Sequence, residues 1–289
     1  MVIQITKAIL KKVYRPRKPW AHKGDFGRLL VIGGSKKYSG SPTFNALAAL
    51  QTMSAYRTGT DVVEVVAPKR AADIIASFSP NIITIPLEGD YIAKKHLPIL
   101  LKESKNKTAF VIGGGIERNK STLETIKYYL KKIKILGVID ADAIYALKNN
   151  KNNKNKINLS NFVITPHAYE FFILTGKKPN DNLKQRIKLV QEQAKKLNTT
   201  ILLKGHVDII SNGKQTAINK TGTPFMTKGG TGDTLAGIVG SLIAQGSSLF
   251  DSACVAAYIN GKAGELTRKK ISLTASDLLE QISKIVDEV

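Results

Sequence analysis

Short apolar segments that end at Gly, Pro or Asp and lead into a helical pattern recur along this 289-residue chain. Their nearly continuous runs of Val, Ile and Leu are typical of strands that are covered on both faces. Helical segments between successive strands favour parallel pairing, because parallel neighbours need a long crossover connection. The segments interpreted as strands are 28–32, 61–66, 81–85, 109–112, 135–139, 162–164 and 201–203. We therefore predict an α/β fold with a mostly parallel central sheet and helices on both faces.

The rest of the chain divides into helices, one hairpin and one polar segment. Helical spacing is present in 42–57, 121–132, 141–147, 183–196, 231–244, 251–265 and 275–286. Residues 206–219 alternate between apolar and polar and contain Ser211-Asn212-Gly213, which predicts a β-hairpin. The polar run 149–156 (NNKNNKNK) is interpreted as a surface loop and not as a linker between domains. We expect a single domain over residues 1–289, with 1–20 as an N-terminal extension.

The composition excludes several classes of protein. A hydrophobic content of 43% is too high for a disordered polybasic chain. The one cysteine, Cys254, excludes a disulfide scaffold and a four-thiolate zinc site, and indicates a reducing compartment. Its apolar neighbours favour a small packed thiol over a nucleophile. We find no apolar run long enough for a membrane span and no secretion-signal pattern at the N-terminus. These features predict a cytoplasmic protein with no membrane partner.

The charge of the chain raises the question of a nucleic-acid partner. It carries 44 Lys and Arg against 22 Asp and Glu, a formal net charge of +22. Clustered cations gain affinity for nucleic acids by releasing counterions from the phosphate backbone. Only eight of the 44 are Arg, the residue suited to bidentate phosphate or guanine contacts. The charge alone leaves a nucleic-acid-binding protein open as a hypothesis.

Three glycine clusters follow predicted strands or open a predicted helix, at 33–34, 113–115 and 229–232. Loops at the carboxyl ends of strands line the ligand crevice of an open α/β sheet. Glycine there allows backbone N–H groups to approach an anion closely. None of the three clusters has the spacing of a Rossmann or Walker motif. Each cluster alone is weak evidence for a binding site.

The third cluster, Gly229-Gly230-Thr231-Gly232-Asp233, leads directly into a predicted helix. The first N–H groups of a helix have no partner within it, so this loop is a candidate anion site. Asp233 has two interpretations. It could cap the helix and stabilise it by roughly 1 kcal/mol. It could also take a proton from a hydroxyl that attacks a phosphorus atom. The residues alone leave both interpretations open.

These motifs resemble those of a known family. Residues 229–233 resemble the anion-hole and base motif of ribokinase-like enzymes. Residues 22–28 (HKGDFGR) followed by 31–35 (VIGGS) resemble the opening of the NAD(P)H-hydrate dehydratases, the nucleotide-repair branch of that superfamily. Further matches occur in family order from about residue 21 to the C-terminus, at 38–42, 140–143, 165–167 with Glu170, 203–205 and 219–222. Motifs matched in order are far more specific than any one of them.

The resemblance implies a metabolite-repair reaction. The substrate would be the S-epimer of hydrated NADH or NADPH, with water added across the nicotinamide C5–C6 bond. ADP, acting with Mg²⁺, would phosphorylate the C6 hydroxyl. Loss of phosphate would then restore the dihydronicotinamide and leave AMP. The alternative within the superfamily is a small-alcohol kinase acting on a thiazole or pyrimidine alcohol.

The resemblance also implies roles for individual residues. Asp233 would be the catalytic base and would contact the substrate. Glu170 could orient Mg²⁺ through water, or could equally be a first-turn helix acid favoured by the helix dipole. Asp140 and Asp142 would hold loop geometry. The residues implied to contact the hydrated dinucleotide are Ser41, Gly115 and His167. Those implied to bind the nucleotide are Lys204, Gly205, His206, Val207, Asp208, Gly230, Thr231 and Gly232. For His167, a polar surface or capping role is the alternative.

Four positions depart from the usual pattern of the family. Gly114 replaces a common proline, Glu117 a glycine and Ser41 an alanine, and we expect these changes to loosen or resize the dinucleotide pocket. Asp208 replaces a threonine, so its side chain is expected to point away from the nucleotide or to meet a lysine. These departures bear on substrate preference more than on the type of reaction.

The resemblance further implies a homo-oligomer, specifically a tetramer. The chain begins close to the first motif, so we expect the epimerase that interconverts the hydrate epimers to be another polypeptide. With a dinucleotide and ADP as ligands, we interpret the +22 charge as surface composition that attracts anionic substrates. It then no longer argues for a nucleic-acid partner.

Overall fold

A ten-stranded sheet organises the part of the chain described by the structure, a computed structural model covering residues 2–14, 18–50, 58–148 and 157–287. The strands are β1 (Val2–Gln4), β2 (Arg28–Ile32), β3 (Val62–Pro68), β4 (Ile82–Leu87), β5 (Ala109–Ile112), β6 (Leu136–Ile139), β7 (Phe162–Ile164), β8 (Thr200–Leu203), β9 (Asp208–Ser211) and β10 (Thr216–Asn219). The α-helices are α1 (Gly40–Leu50), α2 (Lys69–Phe78), α3 (Leu97–Ser104), α4 (Lys120–Lys132), α5 (Ala168–Thr175), α6 (Leu183–Leu197), α7 (Thr231–Ala244), α8 (Leu249–Leu266) and α9 (Ala275–Val286). Short 3₁₀ helices span Lys7–Lys12, Lys94–His96, Ala141–Leu147 and Pro224–Met226.

The order of the strands determines where a ligand crevice can form. The sheet runs β1-β10-β9-β8-β7-β6-β5-β2-β3-β4, and only β9 is antiparallel to its neighbours. From β2 the chain proceeds outward through β3 and β4, and then returns to β5 on the other side of β2. The strand order therefore reverses between β2 and β5. In open α/β sheets, such a reversal opens a crevice at the carboxyl ends of the strands.

Both faces of the sheet are buried, as the apolar strands predict. In β2, Leu29 and Val31 belong to one apolar cluster, with α1, α2, α7, α8 and α9. Leu30 and Ile32 belong to the other cluster, with α3, α4, α5 and α6. Successive side chains of a strand point to opposite faces, so a strand covered on both sides is apolar at consecutive positions, as β2 is from Leu29 to Ile32.

The seven predicted strands are present, with ends that differ by at most two residues from the predicted ends. The predicted hairpin is formed by β9 and β10. Residues 141–147 form a 3₁₀ helix, whereas the sequence predicted a helix without distinguishing its type. The predicted helix 42–57 begins at Gly40, and its last part, 51–57, lies outside the described residues, as does the predicted loop 149–156.

Two further sequence predictions concern packing and the membrane. Cys254 is buried in α8, in agreement with a packed thiol. Within the described ranges, no helix combines the length and the apolar character needed to cross a membrane. The N-terminal extension contributes an edge strand, β1, which pairs in parallel with β10. This strand was not predicted from the sequence.

Candidate active site

Loops after β2, β5, β6, β7 and β8 meet at the carboxyl edge of the sheet, together with the start of α7. The loops after β2 and β5 are joined by a hydrogen bond from the Gly34 N–H to the Gly114 carbonyl (2.8 Å). Gly113 lies directly against the Asp140 carbonyl, where a Cβ atom would overlap that oxygen. The Lys204 N–H donates to the Pro166 carbonyl (2.9 Å), which joins the loops after β7 and β8. The predicted crevice is therefore enclosed by loops in mutual contact.

The glycine loop before α7 has the geometry of an anion site. Gly230 is the N-cap residue and has a φ of 95°, a left-handed conformation that favours glycine. The Thr231 hydroxyl donates to the carbonyls of Met226 (2.8 Å) and Lys228 (3.0 Å), which fixes the loop. The first-turn N–H groups of α7 have no acceptor within the helix and carry the positive end of its dipole. The loop can therefore bind a phosphate group through its backbone.

Asp233 is the third residue of α7, and its side chain does not cap the helix. Its Oδ1 atom accepts a hydrogen bond from the Ser41 hydroxyl, and its main-chain carbonyl accepts one from Asn45 Nδ2 (2.7 Å). Burial raises the pKa of Asp233 to about 6, and the nearby Asp140 and Asp142 act in the same direction, whereas Ser41 and Lys204 act against it. A carboxylate with a pKa near neutrality is suited to accept a proton. Asp233 therefore has a pKa suited to a base, and its role as the base stays a prediction.

Helices α1 and α7 approach each other closely beside Asp233. A Cβ atom on Gly237 of α7 would overlap the main-chain carbonyl oxygen of Asn45 in α1. Glycine at this position allows the Asn45 side chain to reach the Asp233 carbonyl. Asn45 was not among the residues predicted from the sequence. The available signal was its spacing, because it follows Ser41 by four residues and so lies on the same face of α1.

We expect Gly237→Ala to destabilise the protein by about 1–3 kcal/mol, the usual cost of inserting a methyl group into packed structure. The obstacle is a backbone carbonyl, so the helices themselves must separate. Urea unfolding measures the free energy of unfolding. Gly40→Ala is the matched control, since a Cβ atom on Gly40 has no neighbour within 4 Å. Equal stability of the two variants would contradict the close approach.

Lys204 extends from the end of β8 into a group of carboxylates. Its Nζ atom lies 2.9 Å from Asp140 Oδ1 and 3.9 Å from Glu170 Oε2. Asp140 Oδ1 also accepts a hydrogen bond from the Thr165 hydroxyl (2.7 Å). Burial lowers the pKa of Lys204, but Asp140 and Glu170 outweigh this effect and raise it above its ordinary value. A Cβ atom on Gly232 would lie 3.3 Å from Nζ, so a permanent cation borders the anion loop.

His167 and Glu170 form a capping box at the start of α5. The His167 N–H donates to Glu170 Oε2 (2.9 Å), while the N–H groups of Tyr169 and Glu170 donate to His167 Nδ1 (3.1 and 3.3 Å). Burial and then Lys204 lower the pKa of His167, which favours the neutral ring that accepts these bonds. Burial raises the pKa of Glu170 to about 7. His167 therefore has the capping role considered for it, and its ring also borders the cavity described next.

A cavity of about 660 Å³ lies between α7 and the loops that follow β8 and β10. That volume is in the range of small-molecule sites. The predicted nucleotide residues that line it are Lys204, Gly205, His206, Asp208, Thr231 and Gly232. Val207 is not among the lining residues, and Gly230 faces Phe44 of α1 and Ala275 of α9. Most of the predicted nucleotide residues thus share one cavity.

Several residues that line the cavity were not assigned to the site from the sequence. They include the segment after β10, with Thr221, Gly222 and Pro224, and Asn260 of α8. Asn260 Nδ2 donates to the Thr231 carbonyl (3.3 Å), which connects α8 to the glycine loop. The available signal for Asn260 was its polar side chain directly after the apolar run 253–259 of α8. The segment after β10 had a signal in the family match at 219–222, but its place at the cavity depends on the tertiary fold.

The Asp208 carboxylate, at the start of β9, is bound by donors of the loop after β8 and of β10. It accepts hydrogen bonds from the Gly205 N–H (3.0 Å) and Asn219 Nδ2 (3.1 Å), and burial raises its pKa to about 6. We expected a lysine partner or a side chain turned away from the nucleotide. The structure instead gives it an amide and a backbone N–H as partners, and it keeps Asp208 at the cavity.

Ser41 and Gly115 lie on the other side of Asp233, at the reversal of strand order. A Cβ atom on Gly115 would lie 2.8 Å from the Cβ atom of Tyr38 in the loop after β2. Neither Ser41 nor Gly115 lines the cavity, whereas His167 does. The structure thus separates His167 from the other two residues predicted to contact the dinucleotide. Asp233 lies between these two sides.

Asp140 and Asp142 hold loop geometry, as predicted. Asp142 accepts hydrogen bonds from the Glu117 N–H (3.1 Å) and from Arg118 Nε (2.6 Å). Glu117 has a φ of 62°, so this departure from glycine puts a side chain in the left-handed region. The carboxylate of Asp142 stabilises this loop by bonding its backbone.

The described residues do not include three His, Cys, Asp or Glu side chains placed to hold a metal ion together. Glu170, the residue predicted to orient Mg²⁺, is already bonded through Oε2 to the His167 N–H. Mg²⁺ keeps several waters and often binds through substrate phosphates with one or two carboxylates. The residues therefore fit an ion carried by a bound nucleotide and not one held by the protein alone.

Comparison with known proteins connects this geometry to a family. The model of the NAD(P)H-hydrate dehydratase family matches residues 29–287, which include every part of the site described above. The chain belongs to this family. The motifs that suggested the family in the sequence converge in the structure on the carboxyl edge of the sheet around Asp233, apart from residues 22–28. The Gly24 N–H of that segment is bound by Asp61 (2.8 Å) before β3, at the opposite edge of the sheet.

Two relatives show how much of a dehydratase the chain covers. The ADP-dependent (S)-NAD(P)H-hydrate dehydratase of Nitrosopumilus maritimus is 39% identical over 291 residues, covering 98% of this chain and 96% of the relative. The bifunctional NAD(P)H-hydrate repair enzyme of Pyrobaculum aerophilum is 41% identical over 275 residues, covering 93% of this chain. The chain spans about half, 52%, of that bifunctional relative.

A solved structure supports the fold. The ADP/ATP-dependent NAD(P)H-hydrate dehydratase from Bacillus subtilis, crystallised with ATP and Mg²⁺, superimposes with a TM-score of 0.83. It is 25% identical in sequence, and the match covers 99% of this chain and 98% of that one. The prediction of a ribokinase-like α/β fold is confirmed.

Proposed function

We propose that this chain catalyses the ADP-dependent dehydration of the S-epimer of hydrated NADH or NADPH. The products are NADH or NADPH, AMP and phosphate. One observation carries the proposal: Asp233, a carboxylate with a pKa of about 6, stands at an anion-binding helix start between a nucleotide-sized cavity and the crevice at Ser41. The activities printed in the names of the two relatives agree with this chemistry.

The first step is phosphoryl transfer to the substrate. Asp233 accepts the proton of the C6 hydroxyl as its oxygen attacks the β-phosphorus of ADP. The new P–O bond forms while the bond from the β-phosphorus to the bridging oxygen breaks, and AMP leaves. The N–H groups of the 229–232 loop and the Lys204 ammonium stabilise the charge on the transferred group, because fixed donors and cations act strongly at an enclosed site. Mg²⁺, bound to the ADP phosphates near Glu170, would supply further positive charge.

The second step is elimination of phosphate. Hydroxide is a poor leaving group, whereas phosphate leaves readily as the ring nitrogen donates its electron pair toward C6. Loss of a proton from C5 then forms the C5–C6 double bond of the dihydronicotinamide. The protein's main contribution to this step is to hold the phosphorylated ring in place and to neutralise the departing phosphate with Lys204.

The assigned contacts divide between the two sides of Asp233. On the cavity side, Lys204 to Asp208 and Gly230 to Gly232 bind the adenine nucleotide, with Val207 and Gly230 acting through the backbone of their loops. On the crevice side, Ser41 and Gly115 contact the hydrated nicotinamide. His167, whose ring borders the cavity, contacts the dinucleotide from the edge of that cavity.

The assay for the proposal combines the chain with hydrated NADH, ADP and Mg²⁺. Recovery of the near-ultraviolet absorbance of the dihydronicotinamide is expected. A small-alcohol kinase of the same superfamily would leave this absorbance unchanged and would form a stable phosphorylated product with a thiazole or pyrimidine alcohol. The family of the chain favours the dehydratase over this alternative.

Three further assignments complete the proposal. The protein acts in the cytoplasm, as a homotetramer, and with an epimerase supplied by another polypeptide. Sedimentation measures the assembly, and a monomer at micromolar concentration contradicts the tetramer.

For the epimerase, the pure R-epimer of the hydrate should persist when incubated with this chain, ADP and Mg²⁺. Rapid dehydration of the R-epimer by the purified chain contradicts that assignment.

The acid limb of the pH profile is a prediction of its own. A base must be deprotonated, so kcat/KM should fall as the pH decreases through about 6, the pKa to which burial raises Asp233. An ordinary aspartate would keep its activity down to a pH near 4. The measurement is kcat/KM between pH 4.5 and 8, with nucleotide binding followed at the same pH values. A flat profile to pH 4.5 would contradict Asp233 as the base.

A further inference from the structure

Ser41 is the donor to the Asp233 side chain, and Gly114 leaves the space in which its hydroxyl lies. We propose that Ser41, besides the substrate contact assigned to it above, positions the base by fixing the orientation of the Asp233 carboxylate, and that Gly114 is required for this contact. The inference rests on the proposed role of Asp233 as the base. It adds that the base of this chain depends on a hydroxyl supplied from the first turn of α1.

The hydrogen bond from Ser41 gives the two oxygens of the Asp233 carboxylate different roles. The Ser41 hydroxyl donates to Oδ1, and no side chain or N–H group in the described part of the protein donates to Oδ2. A carboxylate held at one oxygen cannot rotate freely about its Cβ–Cγ bond. Oδ2 is then left in a fixed direction to accept the proton of the substrate.

Helix α1 holds Asp233 at a second point. Asn45, one turn after Ser41, donates to the Asp233 main-chain carbonyl (2.7 Å) and is only 1% exposed. Gly237 allows the two helices to come close enough for both contacts. A backbone fixed by Asn45 and a side chain fixed by Ser41 together determine where the carboxylate points.

Gly114, in the loop after β5, explains why the hydroxyl fits. A Cβ atom at residue 114 would overlap Ser41 Oγ and would lie 3.1 Å from Asn45 Oδ1. Gly114 does not have a positive φ, so its backbone conformation is open to alanine. The requirement for glycine is therefore one of space. Any side chain at 114 must displace the Ser41 hydroxyl from Asp233.

The charges around Asp233 make a neutral donor useful. Asp140 and Asp142, from the loop after β6, oppose ionisation of Asp233, whereas Lys204 from the end of β8 favours it. The Ser41 hydroxyl favours the ionised form without adding a charge that would bind the transferred phosphoryl group. Its removal should raise the pKa of Asp233 and weaken its orientation together.

The test uses Ser41→Ala, Gly114→Ala and the double variant. Each single variant should lower kcat/KM by roughly ten- to a hundredfold, the usual effect of losing a hydrogen bond to a charged group. Each should also move the acid limb of the pH profile upward. The kcat/KM of the double variant should lie within about threefold of that of either single variant, since both changes remove the same contact. Ser77→Ala, which removes an exposed hydroxyl of α2 that bonds the Ile74 carbonyl, should retain wild-type activity.

A second readout is independent of activity. The ¹³C resonance of the Asp233 carboxyl, titrated in the free protein, should show a higher pKa in both single variants than in the wild type. If the wild type does not dehydrate the hydrate, the proposed function fails while the titration still decides whether Ser41 controls the carboxylate. An unchanged pKa of the Asp233 carboxyl in Ser41→Ala overturns the inference. The inference is also overturned if the decrease in kcat/KM of the double variant equals the product of the decreases in the two single variants.

Discussion

Replacing Asp233 by asparagine is expected to lower kcat by about a thousandfold, within the range that a general base contributes to catalysis. Asparagine keeps the shape of the side chain and can still meet the Ser41 hydroxyl, but it cannot accept the proton of the attacking hydroxyl. Nucleotide binding should change little, because the cavity is lined by other residues and the anion loop binds through its backbone. Steady-state kinetics and calorimetric titration with ADP measure the two properties separately.

The matched control is Asp90→Asn. Asp90 is exposed and pairs with Lys36 at 3.1 Å on the surface, so the same chemical change there should leave kcat and stability nearly unaltered. A kcat of Asp233→Asn within tenfold of the wild type would rule out Asp233 as the base. A large loss of ADP binding in the same variant would instead indicate that the carboxylate acts on the nucleotide.

Replacing Lys204 by methionine is expected to have the second largest effect. Methionine fills a similar volume but leaves Asp140 and Glu170, with side chains 3% and 8% exposed, beside each other without their cation. Breaking such a buried pair costs about 3 kcal/mol of stability. The lost positive charge beside Gly232 should also lower kcat/KM by about a hundredfold, because it no longer stabilises the transferred phosphoryl group.

Lys107→Met separates these two consequences. Lys107, with a side chain 7% exposed, pairs with Glu64 at 3.1 Å near the amino end of β5, on the edge of the sheet opposite the site. It should lose stability but keep its activity at a temperature where the protein stays folded. Urea unfolding and kcat/KM for ADP are measured on both variants. If the two variants lose the same fraction of activity, the effect of Lys204 is one of stability and not of catalysis.

The strands could be predicted closely because burial on both faces leaves a local signal. Residues such as Leu29 to Ile32 are apolar without alternation, and their ends are marked by Gly33 and Gly34. The order of the strands had no such signal. The position of β2 between β3 and β5 depends on where helices pack, and no local run of residues encodes it. Helices α2, α3 and α5 were expected between strands, but their ends were not predicted.

The chemistry of the site was also partly readable. Asp233 and its glycine loop are contiguous in the sequence, so their combination could be recognised from adjacent residues. Contacts between distant residues could not. The donors to Asp233, Ser41 and Asn45, are separated from it by 192 and 188 positions, and the pairing of Lys204 with Asp140 spans 64. Sequence motifs thus predicted the candidate base, whereas its hydrogen-bond partners became visible only in the fold.

The most direct test of the proposed function is the stoichiometry of products from a single incubation. Purified protein is mixed with the S-epimer of hydrated NADH, ADP and Mg²⁺, and NADH, AMP and phosphate are each quantified over time. We expect the three products to appear in equal amounts, and to form about a thousandfold more slowly with Asp233→Asn. Accumulation of a phosphorylated dinucleotide without NADH, or formation of AMP and phosphate independent of the hydrate, would contradict the proposed function.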